Sequence, residues 1–331
     1  MIPTKRAVVD PLRKCNIKCL FCYYRHLEMD SVRKLDDVKK DIDAAYERGN
    51  NYIDITGGEP TVYPEITELV KYALSKGMKT CIITNGLVSE RRANEIMDVG
   101  LDDWLISVHG LEKTHDFLVQ APNARKNQVR FLNQIRERMT FRFNSVINGY
   151  SQNELPELAK WMIQYKPRIV NFIHFNCHHN WGQHPEEVKE VIADLRKVEP
   201  LLNEAITILE SNGIGVNVRY YPMCRIREDY RRCVCNDLQV MFDPYEWDYG
   251  ELPKTVEQYT NWGIKTSSSN EEKGEPCCRC DLQRICGGMH RVHNKITEGK
   301  MLDPVINSEI IDKSDFYYYR KNNVLTLKER V

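Results

Sequence analysis

Cys15, Cys19 and Cys22 stand in the run Cys-Asn-Ile-Lys-Cys-Leu-Phe-Cys, separated by three and then two residues. One short loop can wrap a metal centre with three thiolates at these gaps. Three is one ligand short of a closed tetrahedral site or a fully ligated 4Fe-4S cluster. An open coordination position leaves room for a substrate or cofactor, whereas a site that only stabilises a fold is normally closed. A zinc knuckle or a cluster of buried thiols is the plainer reading of the triplet alone.

About 35 residues further on, Ile53-Asp54-Ile55 runs into Thr56-Gly57-Gly58-Glu59-Pro60. The two motifs together resemble the radical S-adenosylmethionine (SAM) family, whose Cys-x3-Cys-x2-Cys loop holds three irons of a 4Fe-4S cluster while SAM chelates the fourth. The resemblance implies that Phe21 packs near the adenine and that Gly57, Gly58, Glu59 and Pro60 bring backbone to the methionine amino group. Glycine suits a close backbone approach. It also implies reductive cleavage of SAM to a 5′-deoxyadenosyl radical, fed by a flavodoxin- or ferredoxin-type electron donor.

These motifs must be held by repeated units. Strand-like segments at 5–10, 51–56, 78–84, 103–108, 140–148 and 168–175 alternate with amphipathic stretches such as 35–47, 65–76, 90–99 and 153–163. This pattern predicts an α/β fold, a partial (β/α)6 TIM-like barrel, with ligands at the carboxyl ends of its strands. Asn85 after the third strand and Ser107 at the end of the fourth match family elements that reach SAM. Asn144 shares an inward face with Arg142 on the fifth, and Asn148 suits either a ligand or a turn with Gly149. Cys81 reads as core. His174, His178 and His179 sit in a polar aromatic loop after strand six, where imidazoles could contact substrate or remain ordinary loop residues.

A long helix-like stretch over 185–212 precedes a change of character. Cys224, Cys233 and Cys235 lead into an expected hairpin over 238–249 and a polar loop near 266–274, and Cys277, Cys280 and Cys286 follow at gaps of two and five. This segment resembles the auxiliary-cluster extensions called SPASM and twitch, with His290 where a further cysteine usually stands. One auxiliary 4Fe-4S cluster is therefore expected on Cys277, Cys280, Cys286 and one of Cys224, Cys233 or Cys235. Cys278 and His290 are reserve ligands, and a structural zinc site is the alternative. The expected divisions are a barrel over 1–220, a cysteine-rich α+β extension over 221–300, and a tail over 301–331 docking on the barrel.

The chain of 331 residues carries 47 basic and 47 acidic side chains, so charge points to no nucleic-acid surface. It has no apolar run of membrane-spanning length and no signal-peptide core, and its 12 cysteines suit metal ligation in a reducing compartment better than disulfides. A cytoplasmic enzyme is expected. Its substrate is a sugar-like or other small metabolite or a peptide, to be oxidised, epimerised or rearranged. Only 14 residues precede Cys15, which leaves no room there for a leader-recognition module. A non-catalytic iron-sulfur or zinc protein, carrying electrons or acting as a scaffold, is the competing class.

Overall fold

The computed structural model describes residues 6–177, 179–235, 247–248, 271–283, 286–306, 316–321 and 324–329, with backbone alone at 179, 235, 247–248, 316–321 and 324–329. His178 and most of the expected hairpin and polar loop lie outside them.

Seven parallel strands lie side by side in chain order: β1 (Arg6–Val9), β2 (Tyr52–Ile55), β3 (Lys79–Thr84), β4 (Asp103–Ser107), β5 (Phe141–Ile147), β6 (Ile169–His174) and β7 (Gly215–Arg219). Two-residue strands extend the edges, β8 (Val234–Cys235) beside β7 and β9 (Trp247–Asp248) beside β1. The sheet curls into a partial barrel. The first six strands fall inside the segments expected from sequence, while β7, short and flanked by glycine, went unassigned.

Helices cover the outer face: α1 (Leu35–Arg48), α2 (Ile66–Ser75), α3 (Glu90–Asp98), α4 (Glu112–Val119), α5 (Ala124–Ile135), α6 (Leu155–Met162), α7 (Pro185–Val191) and α8 (Leu195–Ser211). Helix α1 shows the logic, burying Val38, Ile42 and Ala45 on one stripe and ending at Gly49, whose left-handed backbone returns its N–H to Ala45 and Tyr46. The single helix expected over 185–212 is two. Asp194 caps the second one by accepting from the Arg196 N–H, so the chain breaks before it.

Polar layers fill part of the barrel interior. At the amino end Arg6 pairs with Asp54, and Arg142 donates to Asp103 at 2.6 Å. Cys81 is fully buried there, 3.2 Å from the Arg142 guanidinium. One layer up, Asn171 donates to Asn144 and Asn217 to Asn171, each at 2.7 Å, tying β5, β6 and β7 together.

The extension contributes the antiparallel pair β10 (Glu271–Glu272) and β11 (Met289–His290) and the short helix α9 (Arg291–Ile296). Residues 301–306 pack back on it: Leu302 is buried, Arg225 reaches the Met301 carbonyl, and the Val305 N–H points at Cys280 Sγ. Farther along, β12 (Phe316–Lys321) pairs antiparallel with β13 (Val324–Glu329).

Candidate active site

The loop carrying Cys15, Cys19 and Cys22 leaves the end of β1 and is held from both sides. Lys18 and Leu20 give their N–H groups to the carbonyls of Val119 and Leu118. The turn after β2 grips its start, with Gly58 N–H to Leu12 O and Glu59 N–H to Lys14 O, both 2.9 Å. A Cβ at Gly57 would lie 2.1 Å from the Leu12 carbonyl oxygen, and one at Gly58 would lie 2.2 Å from that of Lys14. Glycine is thus required here by the approach of the chain to itself. The same turn lines the cavity.

That cavity, about 350 Å³, opens at the carboxyl ends of the strands. The three cysteines line it together with Gly57, Gly58, Asn85, Ser107 and Asn144, so these expected site residues come together. Phe21 joins them, its ring edge-on to His109 at 4.6 Å.

Glu59 and Pro60 are buried and do not line the cavity. The Glu59 carboxylate accepts four hydrogen bonds, from the Thr61 N–H and hydroxyl, the Thr84 hydroxyl and the Asn85 N–H. Burial pushes its pKa up, and those four donors oppose the push. Its visible role is to fasten the end of β3 to the turn after β2. Gln128, on α5 and fully buried, does the same for the next pair of strand ends, donating to the carbonyls of Asn85 and Ser107.

Two buried imidazoles have their tautomers set by the backbone. The Val146 N–H donates to His109 Nδ1 at 3.1 Å, so the ring proton sits on Nε2. His174 Nδ1 lies 3.1 Å from the Tyr220 carbonyl, which can only accept; Nδ1 therefore carries the proton and Nε2, buried and unpartnered, keeps a lone pair. Burial holds both neutral, pushing His109 down to about 3 and His174 to about 4. Asp10 Oδ1 and Asn176 Oδ1 are further unpartnered acceptors among the residues that line the cavity.

Asn148 takes the turn role, its Oδ1 accepting from the N–H groups of Tyr150 and Ser151. His179 is described by backbone alone. The sequence reading passed over His109, Gln128, Asp10 and Asn176. Their positions at or just after strand ends, or facing strand ends from a helix, were the available signal.

The second cysteine group assembles around the extension. Cys224 interacts electrostatically with Cys277 and Cys280, and Cys286 with Cys224. Backbone N–H groups point at these sulfurs: Met223 and Gly288 at Cys286 (3.5 and 3.4 Å), Val305 at Cys280 (3.4 Å) and Asp303 at Cys224. Cys233 is placed differently, against Arg232 at 3.0 Å and Glu210 at 3.6 Å. Cys235 is seen only as backbone in β8. Cys278 is exposed, and His290 Nδ1 caps α9 through the Val292 N–H.

Both thiol sets suit cluster ligation. Burial pushes Cys15 and Cys224 up to about 11 and Cys286 to about 12, so the sulfurs hold protons until a metal displaces them.

Residues 9–162 match the profile of the Radical SAM superfamily. That match spans 154 of the 331 residues, just under half of the chain, and takes in Cys15, Cys19, Cys22 and Gly57 to Pro60. Curated relatives include the Fe-coproporphyrin III synthase of Methanosarcina barkeri (strain Fusaro / DSM 804), 30% identical over 49% of this chain and 42% of its own length. The PqqA peptide cyclase of Bradyrhizobium diazoefficiens is 29% identical over 47% of this chain and 42% of its own. The chain thus spans about two fifths of the length of these relatives. Among solved structures, Streptococcus suis SuiB bound to S-adenosylmethionine superposes with a TM-score of 0.60 at 17% identity, covering 91% of this chain and 76% of SuiB. The anSMEcpe structure with bound AdoMet gives 0.57 at 16%, covering 93% and 94%. These two likenesses are of fold. Likeness to this superfamily implies a 4Fe-4S cluster and SAM, and no helix among the described residues is long and apolar enough to cross a membrane.

Proposed function

We propose that this protein is a radical SAM enzyme in which Cys15, Cys19 and Cys22 hold the SAM-binding 4Fe-4S cluster, with SAM seated in the adjoining cavity. The observation that carries the reading is the lining of that cavity: three thiols, the Gly57-Gly58 turn and strand-end Asn85, Ser107 and Asn144. When bound, the cluster and SAM supply a 5′-deoxyadenosyl radical able to take hydrogen from an unactivated C–H bond. The chain's own residues bind, orient and enclose. The N–H groups of Gly58 and Glu59 are spent on the cysteine loop and Glu59 does not line the cavity, so the carbonyls of Gly57 and Gly58 are what the turn can offer an ammonium group. Asn144 accepts from Asn171 and keeps its own amide N–H groups for a ligand acceptor.

Cys224, Cys277, Cys280 and Cys286 hold one auxiliary 4Fe-4S cluster in this reading, within an extension beginning near residue 221 whose packed part continues to residue 306. Backbone N–H groups aimed at all four sulfurs, that of Gly274 at Cys277 included, support thiolate ligands, in keeping with a cluster; zinc would use the same donors.

For the substrate we favour a peptide segment or a small metabolite without phosphate groups. No lysine or arginine lines the cavity among the described residues, whereas Asp10, His174 and Asn176 offer acceptors. A phosphate-bearing ligand would need cationic partners. The name of the PqqA peptide cyclase supports the peptide class.

Anaerobic reconstitution with iron and sulfide tests this. The wild type should take up about eight irons, and the Cys15/Cys19/Cys22 triple alanine variant about four. C224A should also lose about four irons while C233A keeps all eight. Deoxyadenosine should form from SAM and reductant with the wild type and not with the triple variant. Absence of deoxyadenosine from a fully loaded wild type would leave the carrier or scaffold class standing.

A further inference from the structure

The residues just after the third cysteine are gripped by one segment, 175–187, that follows β6. The Trp181 indole N–H donates to the Cys22 carbonyl at 3.0 Å, and the Asn180 amide donates to the His26 carbonyl at 3.1 Å. The Trp181 ring, fully buried, meets His26 edge-on at 4.7 Å and Phe175 at 4.9 Å. His26 in turn stacks on His184 at 3.7 Å, and Arg25 pairs with Glu187 at 3.0 Å. The same segment lines the cavity through Phe175 and Asn176.

The Cys22 carbonyl therefore accepts two hydrogen bonds, one local from the Arg25 N–H at 3.0 Å and one from a side chain more than 150 residues away in sequence, on the segment that also faces the ligand space. We propose that Trp181 is a positioning residue for the first cluster: it sets the exit of the cysteine loop, and with Asn180 slows the loss of iron from Cys22. This rests on Cys15, Cys19 and Cys22 being the cluster ligands. Trp181 touches no reacting atom in this account and acts through Cys22.

A built-in control exists. Trp104 is also fully buried, yet its indole nitrogen has no partner and it packs on Phe131, away from the cysteine loop. W181F and W104F remove the same volume from a buried site, and only the first removes a bond to the loop. The test uses the anaerobically reconstituted, reduced protein, challenged with a ferrous chelator, while the electron paramagnetic resonance signal that shifts on adding SAM is followed separately from the signal that does not.

A single hydrogen bond of ordinary strength corresponds to about a three- to tenfold change in an equilibrium or rate. In W181F, and in N180A, the SAM-sensitive signal should decay about three- to tenfold faster than in wild type, with the other signal unchanged. W104F should lower thermal stability without that acceleration. Decay of both signals together in W181F, a wild-type rate, or equal acceleration in W104F would overturn the proposal. Should W181F fail to fold, N180A decides by the same criterion. A wild type with no SAM-sensitive signal would sink the cluster assignment and the clamp with it, whereas a normal wild-type signal with unaffected variants sinks the clamp alone.

Discussion

Replacing Glu59 with glutamine should unlatch the site without touching a cavity-lining atom. The carboxylate receives four donors, with Oε1 facing the Thr61 N–H and two hydroxyls and Oε2 facing the Asn85 N–H at 2.8 Å. A glutamine must put an NH2 group at one of those two places. Hydroxyls can turn to accept from it, but a backbone N–H cannot, so one of Thr61 or Asn85 keeps a buried donor without an acceptor. That costs about 1–3 kcal/mol, and the bonds that survive lose their charge assistance, for a total on the order of 3 kcal/mol. Urea unfolding should show that loss as a lower midpoint at constant slope. The freed Asn85 also lines the cavity, so SAM should bind to the reconstituted variant several-fold more weakly. A midpoint within about 0.5 kcal/mol of wild type, with unchanged SAM affinity, would refute the reasoning. It would mean that the turn relaxes enough to give both backbone donors another acceptor.

Three further outcomes follow from the same geometry. Gly58→Ala, whose Cβ would sit 2.2 Å from the Lys14 and 2.3 Å from the Arg13 carbonyl oxygens, should displace the cysteine loop and cut reconstituted iron by about four atoms; full loading would contradict it. Arg142→Met strips the nearest cation from Asp103, 2% exposed, and should cost about 3–5 kcal/mol by urea unfolding, a figure that R142M/D103N should partly restore and that a cost below about 1 kcal/mol would refute. His174 and His109 have folded pKa values of about 4 and about 3, below the ordinary histidine range. The unfolded chain therefore binds their protons first, and the stability they contribute is complete above about pH 6.5 and lost as pH falls toward those values. Each adds about 1.4 kcal/mol per pH unit in that window, so H174Q should flatten the acid slope of the urea midpoint by about that amount, and an unchanged slope would count against it.

How much of this was legible in the sequence depended on whether a feature was local. Strands β1 to β6 were legible because each carries at least three apolar side chains within a short segment, and the cysteine triplet because its spacing is a property of one loop. β7 was missed since Gly-Val-Asn-Val-Arg is five residues with two polar positions, and the Asn217 that looks out of place in a strand is there to reach Asn171. The break between α7 and α8 was hidden by continuous helical periodicity, with only the capping carboxylate of Asp194 to mark it. The preference for Cys224 over Cys233 proposed above could not be read from spacing, because it rests on Cys277, Cys280, Cys286, Met301 and Asp303 lying against residues 223 to 225, a contact between distant segments.

The site shows the same division more sharply. Motif reading assigns Gly57 to Pro60 to a ligand, and the geometry divides the four by what each touches. The two glycines are demanded by Leu12 to Lys14, and Glu59 is consumed in holding Thr84 and Asn85. A residue can thus shape a pocket that it does not line, because a partial barrel has no closed ring of strands to fix its rim. Here the rim is fixed by side chains that bridge neighbouring strand ends: Glu59 from β2 to β3, Gln128 from β3 to β4, and Trp181 from beyond β6 back to the loop after β1. The last of these joins the ends of two strands that are not neighbours in the ladder, β6 and β1, which is why its loss should be felt at the cluster before it is felt in the fold.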